Sequence, residues 1–244
     1  MTVPLIAVAH GSRDPRAAAT VQELLDAVRL ARPGLPVRAS YLDHAPPAPP
    51  RALAGLAEAV VLPLLLTAAY HSRVDIPRML REVPATRIRY GEPLGPHPLL
   101  VRALERRLAE AGVPVGDPGA VAGTAVVLVS AGSSDRRANQ VIAQVARRWA
   151  RERGWWAVSP AYASAARPAP GAEVARLLRA GAPRVVVAPY LLAPGYFADR
   201  VRREALDAGA ETVAGVLGAA PELAEVVLER YDQALAARRL PVPA

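Results

Sequence analysis

The feature that most constrains the fold is an internal repeat whose two copies begin about half a chain apart in this 244-residue protein. Repeated segments of this length indicate two units of similar architecture joined in tandem. Three pairs of segments match: LIAVAHGSRD from Leu5 with VVLVSAGSSD from Val126, PLLLTAAYH from Pro63 with PYLLAPGYF from Pro189, and LGPHP from Leu94 with LGAAP from Leu217. We therefore expect one fold to occur twice.

Histidine occurs in only one copy of the repeat. The matched pairs, first copy before second, are His10 and Ala131, His71 and Phe197, and His97 and Ala220. Chemistry that depends on imidazole groups is therefore predicted in the first copy.

The composition limits the kinds of site that the chain can build. The sequence has no cysteine, which excludes disulfides, iron–sulfur clusters and thiolate metal sites. A metal ion would have to be held by histidine, aspartate, glutamate or water. Hydrophobic residues make up 52% of the chain but aromatic residues only 5%, so the core must be aliphatic.

The apolar segments are too short for export or membrane insertion. The run from Val3 to Val8 has no basic stretch before it and is typical of a first β-strand, not of a signal peptide. The longest apolar stretch, 59–70, is interrupted by Pro63 and cannot span a bilayer. We expect a cytoplasmic protein with no membrane partner.

The net charge is +8, and arginine is the basic residue throughout, because the sequence has no lysine. These arginines are spread over both halves, and few aromatic residues accompany them, so nucleic-acid binding is not predicted. Arginine pairs with carboxylates through two parallel hydrogen bonds. The charge therefore favours a small anionic partner such as a polycarboxylate.

Apolar strands alternate with longer amphipathic segments in both halves, which predicts an α/β fold with a four-stranded parallel sheet in each half. The predicted domains are 1–115 and 121–244, and the segment 113–123, rich in proline and glycine, is the predicted linker. Predicted strands are 3–9, 36–42, 59–66, 86–90, 124–130, 156–162, 184–192 and 211–216. Predicted helices are 15–31, 51–57, 73–83, 98–111, 135–153, 170–180, 198–208 and 221–238.

Polar groups that can bind metals follow three strands of the first half. His10 follows the first strand, Asp43 and His44 follow the second, and His71 lies just past the third. Ligands of open parallel sheets bind beyond the carboxyl ends of the strands, so we expect these groups to converge. Imidazole and carboxylate ligands suit Co²⁺, Ni²⁺, Fe²⁺ or Zn²⁺.

Each of these residues also has a simpler interpretation. His10 can be an incidental residue of a capped helix turn, and His71 and His44 can be surface residues. His97 stands between two prolines, which favours a rigid turn over a metal ligand. The Arg-His-Gly signature of one phosphatase class is absent, because Ala9 precedes His10.

Together these motifs resemble the class II tetrapyrrole chelatases, most closely the two-domain CbiX/SirB-type sirohydrochlorin chelatases, over nearly the whole chain. The resemblance implies two tandem flavodoxin-like domains with the macrocycle in a cleft between them. It also implies that His10 and His71 act in catalysis and bind the metal. The third polar group in the family is usually a glutamate after the second strand; here Asp43 takes its position, and His44 is an alternative. The second copy has Ala131, Ser164 and Phe197 at these places, so no metal site is expected there.

By the same resemblance the chain inserts cobalt or ferrous iron into sirohydrochlorin, in cobalamin or siroheme biosynthesis, without an organic cofactor. The anionic tetrapyrrole would be bound by seven residues: Ser12, Arg13, Tyr70, Arg73, Arg136, Tyr196 and Arg200. The alternatives are a nickel chelatase acting on a related tetrapyrrole, and a non-catalytic metal or tetrapyrrole carrier descended from a chelatase. The tandem repeat favours a monomer, as an internal pseudo-dimer.

Overall fold

A computed structural model describes residues 2–67, 75–83 and 86–237. The described strands are β1 (Leu5–Ala9), β2 (Val37–Tyr41), β3 (Glu58–Pro63), β4 (Arg87–Tyr90), β5 (Thr124–Ser130), β6 (Ala157–Tyr162), β7 (Arg184–Tyr190) and β8 (Thr212–Val213). The described helices are α1 (Pro15–Ala31), α2 (Pro49–Leu53), α3 (Ile76–Leu80), α4 (Pro98–Glu110), α5 (Pro118–Ala122), α6 (Arg136–Arg153), α7 (Pro170–Arg179), α8 (Tyr196–Asp207) and α9 (Pro221–Ala236). No helix in these ranges is long and apolar enough to cross a membrane.

The strands form two parallel sheets with the same topology, β2-β1-β3-β4 and β6-β5-β7-β8. The central strands β1 and β5 are buried along their whole length. Their aliphatic sequences fit this position, because helices cover both faces of a parallel sheet. The predicted α/β class, with two four-stranded parallel sheets, is confirmed.

Local signals explain where the principal helices begin. Asp14 caps α1 by accepting a hydrogen bond from the main-chain N–H of Arg16 at 3.0 Å, and Pro15 occupies the first turn. Asp135 caps α6 in the same way, accepting from the N–H of Arg137 at 2.9 Å. The first helix of each copy therefore begins with the same aspartate N-cap.

Seven of the eight predicted strands are shorter in the structure, and 124–130 alone has the predicted bounds. The predicted strand 211–216 contains only Thr212–Val213, an edge strand that pairs with β7. The predicted strand 184–192 ends at Tyr190. The predicted linker 113–123 includes the short helix α5, capped by Asp117.

The chain divides into two compact units. Unit 1 contains the described residues up to Leu99 together with those from Ala219 onward, and unit 2 runs from Leu100 to Gly218. The last helix among the described residues, α9, is thus part of unit 1, whereas α4 belongs almost entirely to unit 2. These boundaries differ from the predicted halves 1–115 and 121–244, which follow the sequence repeat.

Side-chain contacts fix α9 within unit 1. The Tyr231 hydroxyl donates a hydrogen bond to the carbonyl oxygen of Val3 at 2.6 Å. Arg32, which follows α1, donates to both carboxylate oxygens of Asp232, at 2.6 and 2.8 Å. The last helix therefore completes the layer beside the first.

A corresponding set of contacts holds α4 in unit 2. The indole N–H of buried Trp149, in α6, donates to Oε1 of Glu105 at 2.9 Å. Arg107 donates through Nε and Nη2 to the carbonyl oxygen of Leu217, at 3.2 and 2.9 Å. Both contacts join α4 to segments of the second copy.

Candidate functional site

His10 and Asp43 lie side by side at the carboxyl edge of the first sheet. Ala9 pairs with Tyr41 in the parallel ladder between β1 and β2. The hydrogen bonding continues past the strand ends, with the Asp43 N–H donating to the His10 carbonyl oxygen at 3.0 Å. The sheet thus brings together two of the predicted metal-binding residues, at the level of the main chain.

The turn after His10 requires glycine. Gly11 has φ of +92°, and a β-carbon at this position would lie 1.8 Å from the carbonyl oxygen of Asp43. Only glycine combines this backbone conformation with so close an approach. Gly11 therefore holds the His10 turn against the Asp43 loop.

The His10 imidazole is exposed, and its Nδ1 lies 3.2 Å from the carbonyl oxygen of Gly11. A carbonyl oxygen only accepts, so this contact is a hydrogen bond when Nδ1 carries the ring proton. That tautomer leaves the lone pair on Nε2. His10 can then bind a metal ion or accept a proton through Nε2.

Asp43 and His44, the two candidates for the third polar group, contact each other. The main-chain N–H of His44 donates to Oδ1 of Asp43 at 2.8 Å, and its Nε2 lies 3.3 Å from Oδ2 of the same carboxylate. The backbone of His44 is in the left-handed region, with φ of 61°. Donation from Nε2 to Asp43 leaves Nδ1 of His44 with the lone pair.

The start of α1 places two further predicted residues beside His10. The Ser12 hydroxyl oxygen accepts a hydrogen bond from the Asp14 N–H at 3.1 Å, so Ser12 shapes the turn and keeps its own proton to donate. Arg16 holds the pKa of Asp14 below its usual value through side-chain and main-chain hydrogen bonds. Arg13 is exposed and makes no hydrogen bond or ion pair within the described residues.

The segment after β3 lies only partly within the described residues. The Leu64 N–H donates to the Val8 carbonyl oxygen at 2.8 Å, which brings the end of β3 to the same sheet edge as His10. Tyr70, His71 and Arg73 lie outside the described residues. Among the residues that are described, no three His, Asp or Glu side chains are grouped so that they could hold a metal ion. The pairing of His10 with His71 stays a prediction.

The second copy has the same backbone turns without the metal-binding side chains. Gly132 has φ of +84°, and a β-carbon there would lie 2.0 Å from the Ser164 carbonyl oxygen. The Ser164 N–H donates to the Ala131 carbonyl oxygen at 2.8 Å, and Ala165 has φ of 54°. The backbone that holds His10 and Asp43 in unit 1 therefore carries alanine and serine in unit 2.

Three predicted substrate-binding residues lie in unit 2. Arg136 is the exposed first residue of α6. Tyr196 begins α8 and is 68% exposed. The guanidinium carbon of Arg200 lies 5.5 Å from the ring centres of both Tyr196 and Phe197. Arg200 and the two rings form one cluster, whereas Arg136 lies on a different helix.

A cavity of about 520 Å³ opens beside that cluster, within unit 2. It is lined by Tyr162 at the end of β6, by the residues that follow as far as Pro170 except Pro168, and by Arg200 and Glu204 of α8. Arg167 lines this cavity and is not among the residues predicted from the sequence. Its place in the repeat could have identified it, because Arg167-Pro168 follows the second strand of its half as Pro46-Pro47 does in the first half.

His97 has a structural role. Its Nε2 lies 3.0 Å from Oε2 of Glu229, and its Nδ1 accepts a hydrogen bond from the Leu99 N–H at 3.3 Å. Both ring nitrogens are engaged at the start of α4, in agreement with the interpretation of this histidine as part of a rigid turn.

The chain matches one family of proteins twice. The sequence model of the CbiX family matches residues 4–111 and again residues 125–234. The chain is 27% identical to the sirohydrochlorin cobaltochelatase of Priestia megaterium over 248 residues, which covers 93% of this chain and 78% of that protein. It is 28% identical to the sirohydrochlorin ferrochelatase of Bacillus subtilis strain 168 over 214 residues, which covers 84% of this chain and 79% of that protein.

Solved structures have the same fold. SirB from Bacillus subtilis with Fe³⁺ is 25% identical and superposes with a TM-score of 0.82, over 97% of this chain and 96% of that one. SirB from Bacillus subtilis subspecies spizizenii, in complex with cobalt, is 22% identical with a TM-score of 0.76, over 96% and 95% of the two chains.

Proposed function

The chain belongs to the CbiX family, and we propose that it inserts cobalt(II) or ferrous iron into sirohydrochlorin. The relatives named above are a cobaltochelatase and a ferrochelatase of this tetrapyrrole. The observation that carries the proposal for this chain is the contrast between its copies. His10, Asp43 and His44 lie on turns whose counterparts in unit 2 have no such groups. The product would enter cobalamin or siroheme biosynthesis.

Metal insertion requires two kinds of group from the protein. The free tetrapyrrole has two N–H protons at its centre, and both must leave as a divalent ion enters. Imidazole titrates near neutral pH and binds borderline divalent ions, so one histidine can serve both purposes. We assign these roles to His10 and to His71, with His10 acting through Nε2. A site with few ligands suits the release of the ion to the macrocycle better than a closed four-ligand site.

Asp43 and His44 would complete the metal site as a pair. A carboxylate that accepts a proton from one ring nitrogen of histidine orients the ring and raises the basicity of the other nitrogen. The contact of 3.3 Å between Asp43 Oδ2 and His44 Nε2 has this form. Asp43 would therefore either bind the ion directly or direct Nδ1 of His44 toward it. Asp43→Asn removes the carboxylate charge but keeps the shape of the side chain, and His44→Gln removes the imidazole but keeps a polar group. Comparing the two variants separates metal binding by the carboxylate from metal binding by the imidazole.

The remaining predicted residues would bind the substrate. Sirohydrochlorin carries multiple carboxylates around its rim, and arginine is well suited to them. Positive charge would come from four arginines, Arg13, Arg73, Arg136 and Arg200. Hydroxyl groups would come from Ser12, Tyr70 and Tyr196. Arg13 supports this assignment because its guanidinium is exposed and unpaired within the described part of the chain. We further propose that the protein acts as a cytoplasmic monomer and needs no organic cofactor.

The proposal is tested by the change in the absorption spectrum of sirohydrochlorin on metal insertion. Purified protein is mixed anaerobically with sirohydrochlorin and Co²⁺, Fe²⁺ or Ni²⁺ in turn, and rates are compared with the uncatalysed background. The double variant His10→Ala, His71→Ala is expected to lose the enzyme-dependent rate. His97→Ala is the matched control, because it removes an imidazole whose nitrogens are already engaged.

The mechanism would be refuted if the double variant kept the wild-type rate. A preference for Ni²⁺ would identify the alternative chelatase. Binding of tetrapyrrole in a one-to-one ratio, with no turnover for any of the three ions, would instead identify a carrier protein.

A further inference from the structure

The cavity in unit 2 carries a net positive charge. Two arginines, Arg167 and Arg200, line it together with a single carboxylate, Glu204. Tyr162 also lines it, but burial raises the pKa of this tyrosine and its hydroxyl donates to the Asn139 carbonyl oxygen at 3.1 Å. Tyr162 is therefore neutral and adds no negative charge. The balance favours an anionic ligand.

The guanidinium groups retain hydrogen-bond donors for such a ligand. Arg167 is exposed and makes no hydrogen bond or ion pair within the described residues. The Nε of Arg200 is buried and has no hydrogen-bond partner among the described residues, which leaves the two terminal Nη groups as the donors for a ligand. Its nearest carboxylate oxygen, Oε1 of Glu204, is 3.5 Å away, which is longer than a normal hydrogen bond.

Two aromatic rings hold Arg200 at the cavity. The guanidinium carbon lies 5.5 Å from the ring centres of Tyr196 and Phe197, and these rings pack edge to face with centres 5.7 Å apart. A cation–π contact attracts the guanidinium group to the rings without a hydrogen-bond acceptor. Arg200 is thus held at the cavity by contacts that are not hydrogen bonds.

A main-chain amide adds a third donor, and the comparison with unit 1 shows why it is open. In unit 1 the N–H of His44 donates to the carboxylate of Asp43. In unit 2 the Ser164 hydroxyl donates to the Ala131 carbonyl oxygen at 3.1 Å, and the Ala165 N–H has no acceptor within the described residues. The first copy thus supplies its own carboxylate as the acceptor for this amide, whereas the equivalent amide of the second copy, at Ala165, has no acceptor among the described residues.

We propose that this cavity binds a carboxylate group through Arg167, Arg200 and the Ala165 amide. This inference rests on the proposed function in one respect, which is that the carboxylate belongs to a side chain of sirohydrochlorin. The second copy would then have exchanged metal binding for substrate binding on the same backbone. The cavity volume of about 520 Å³ is larger than an inorganic ion requires and leaves room for a carboxylate arm of a larger molecule.

The first test is the steady-state kinetics of cobalt insertion by the full-length protein. The double variant Arg167→Ala, Arg200→Ala should raise KM for sirohydrochlorin about tenfold or more and leave KM for Co²⁺ unchanged, since charged hydrogen bonds to one substrate are lost. Arg203→Ala is the control, because it removes one charge from the same helix at a position that does not line the cavity. An unchanged KM for sirohydrochlorin in the double variant would overturn the proposal.

Arg167→Ala alone keeps the test decisive if the double variant does not fold. Arg167 is exposed and unpaired within the described chain, so its removal should not affect folding. This single variant should still raise KM for sirohydrochlorin, and a wild-type KM would refute the role of Arg167.

The second test does not depend on chelatase activity. Glutarate, a small aliphatic dicarboxylate, is titrated into ¹⁵N-labelled protein while the amide resonance of Ala165 is followed by NMR. We expect a saturable shift with a dissociation constant in the millimolar range in the wild type and no shift in the double variant. A wild type that lacks metal insertion but shows this shift would refute the proposed function and retain the carboxylate site. Inorganic phosphate that shifts Ala165 as strongly as glutarate would overturn the assignment to carboxylates, and so would a lack of response to glutarate.

Discussion

Replacing Gly11 by alanine should disrupt the link between His10 and Asp43 more than it disturbs any other part of the fold. The added β-carbon would lie 1.8 Å from the Asp43 carbonyl oxygen, whereas ordinary contacts begin at 3.4 Å. The turn would have to move away by about 1.6 Å, the difference between these distances. The hydrogen bond of 3.0 Å from the Asp43 N–H to the His10 carbonyl oxygen would break.

The cost of Gly11→Ala follows from these two effects. An alanine held at positive φ costs about 1–2 kcal/mol, and the lost hydrogen bond costs about 1 kcal/mol more. We expect the free energy of unfolding to fall by about 3 kcal/mol in all. Since a misplacement of about 1 Å in a catalytic group can lower a rate about 100-fold, kcat for metal insertion should fall by a similar factor.

Gly34→Ala is the matched control in the same unit. Gly34 also has a positive φ, +86°, but a β-carbon there would meet nothing within 4 Å. This variant should cost about 1 kcal/mol and keep the wild-type kcat. Urea unfolding followed by far-ultraviolet circular dichroism measures the stability, and the absorption assay measures the rate. Equal losses of stability in Gly11→Ala and Gly34→Ala would refute the argument that the close approach to Asp43 constrains the turn.

Three further predictions concern unit 1. Leu223→Ala, in the buried face of α9, should lower the free energy of unfolding by about 2–5 kcal/mol, whereas Leu30→Ala, at a position 82% exposed, should change it by less than about 0.5 kcal/mol; similar values from urea unfolding would contradict the packing of α9. The hydrogen bonds from Arg32 lower the pKa of Asp232, so this carboxylate stabilises the fold at neutral pH and loses that effect as pH falls through its folded-state pKa. Asp232→Asn should therefore cost up to about 1 kcal/mol at neutral pH and nothing in strong acid, and a difference from wild type that persisted in acid would count against the ion pair. His97→Ala should lower the melting temperature without reducing kcat, and a slower rate in fully folded protein would mean that His97 takes part in metal insertion.

Several parts of the fold could be predicted from the sequence because their causes are local. Asp14 and Pro15 mark the start of α1, and the helix begins at Pro15. The aliphatic run before His10 predicted a buried central strand, and β1 is buried throughout. Capping and hydrophobic periodicity act over a few residues, so a single sequence contains them.

The sheet edge on which the candidate site lies could also be predicted from the sequence. His10 and Asp43 follow two predicted strands, and parallel pairing brings their main chains together. The contact between Asp43 and His44 was not predictable, because it involves a local loop conformation, with a positive φ at His44, that has no pattern in the sequence. The cavity at Arg167 was missed for a similar reason, since its walls come from a loop and a helix that are distant in sequence.

By itself, the sequence determined the α/β class, the duplication, the positions of most strands and helices, and the family. Only the tertiary structure decided which helix completes which unit. The apolar face of α9, with Leu223 and Val227, requires burial but does not specify a partner. The partner is chosen by the summed packing and hydrogen bonding of segments far apart in the chain, such as the bond from Tyr231 to Val3. These long-range terms leave no periodic pattern in the sequence, and they explain why the compact units differ from the halves of the repeat.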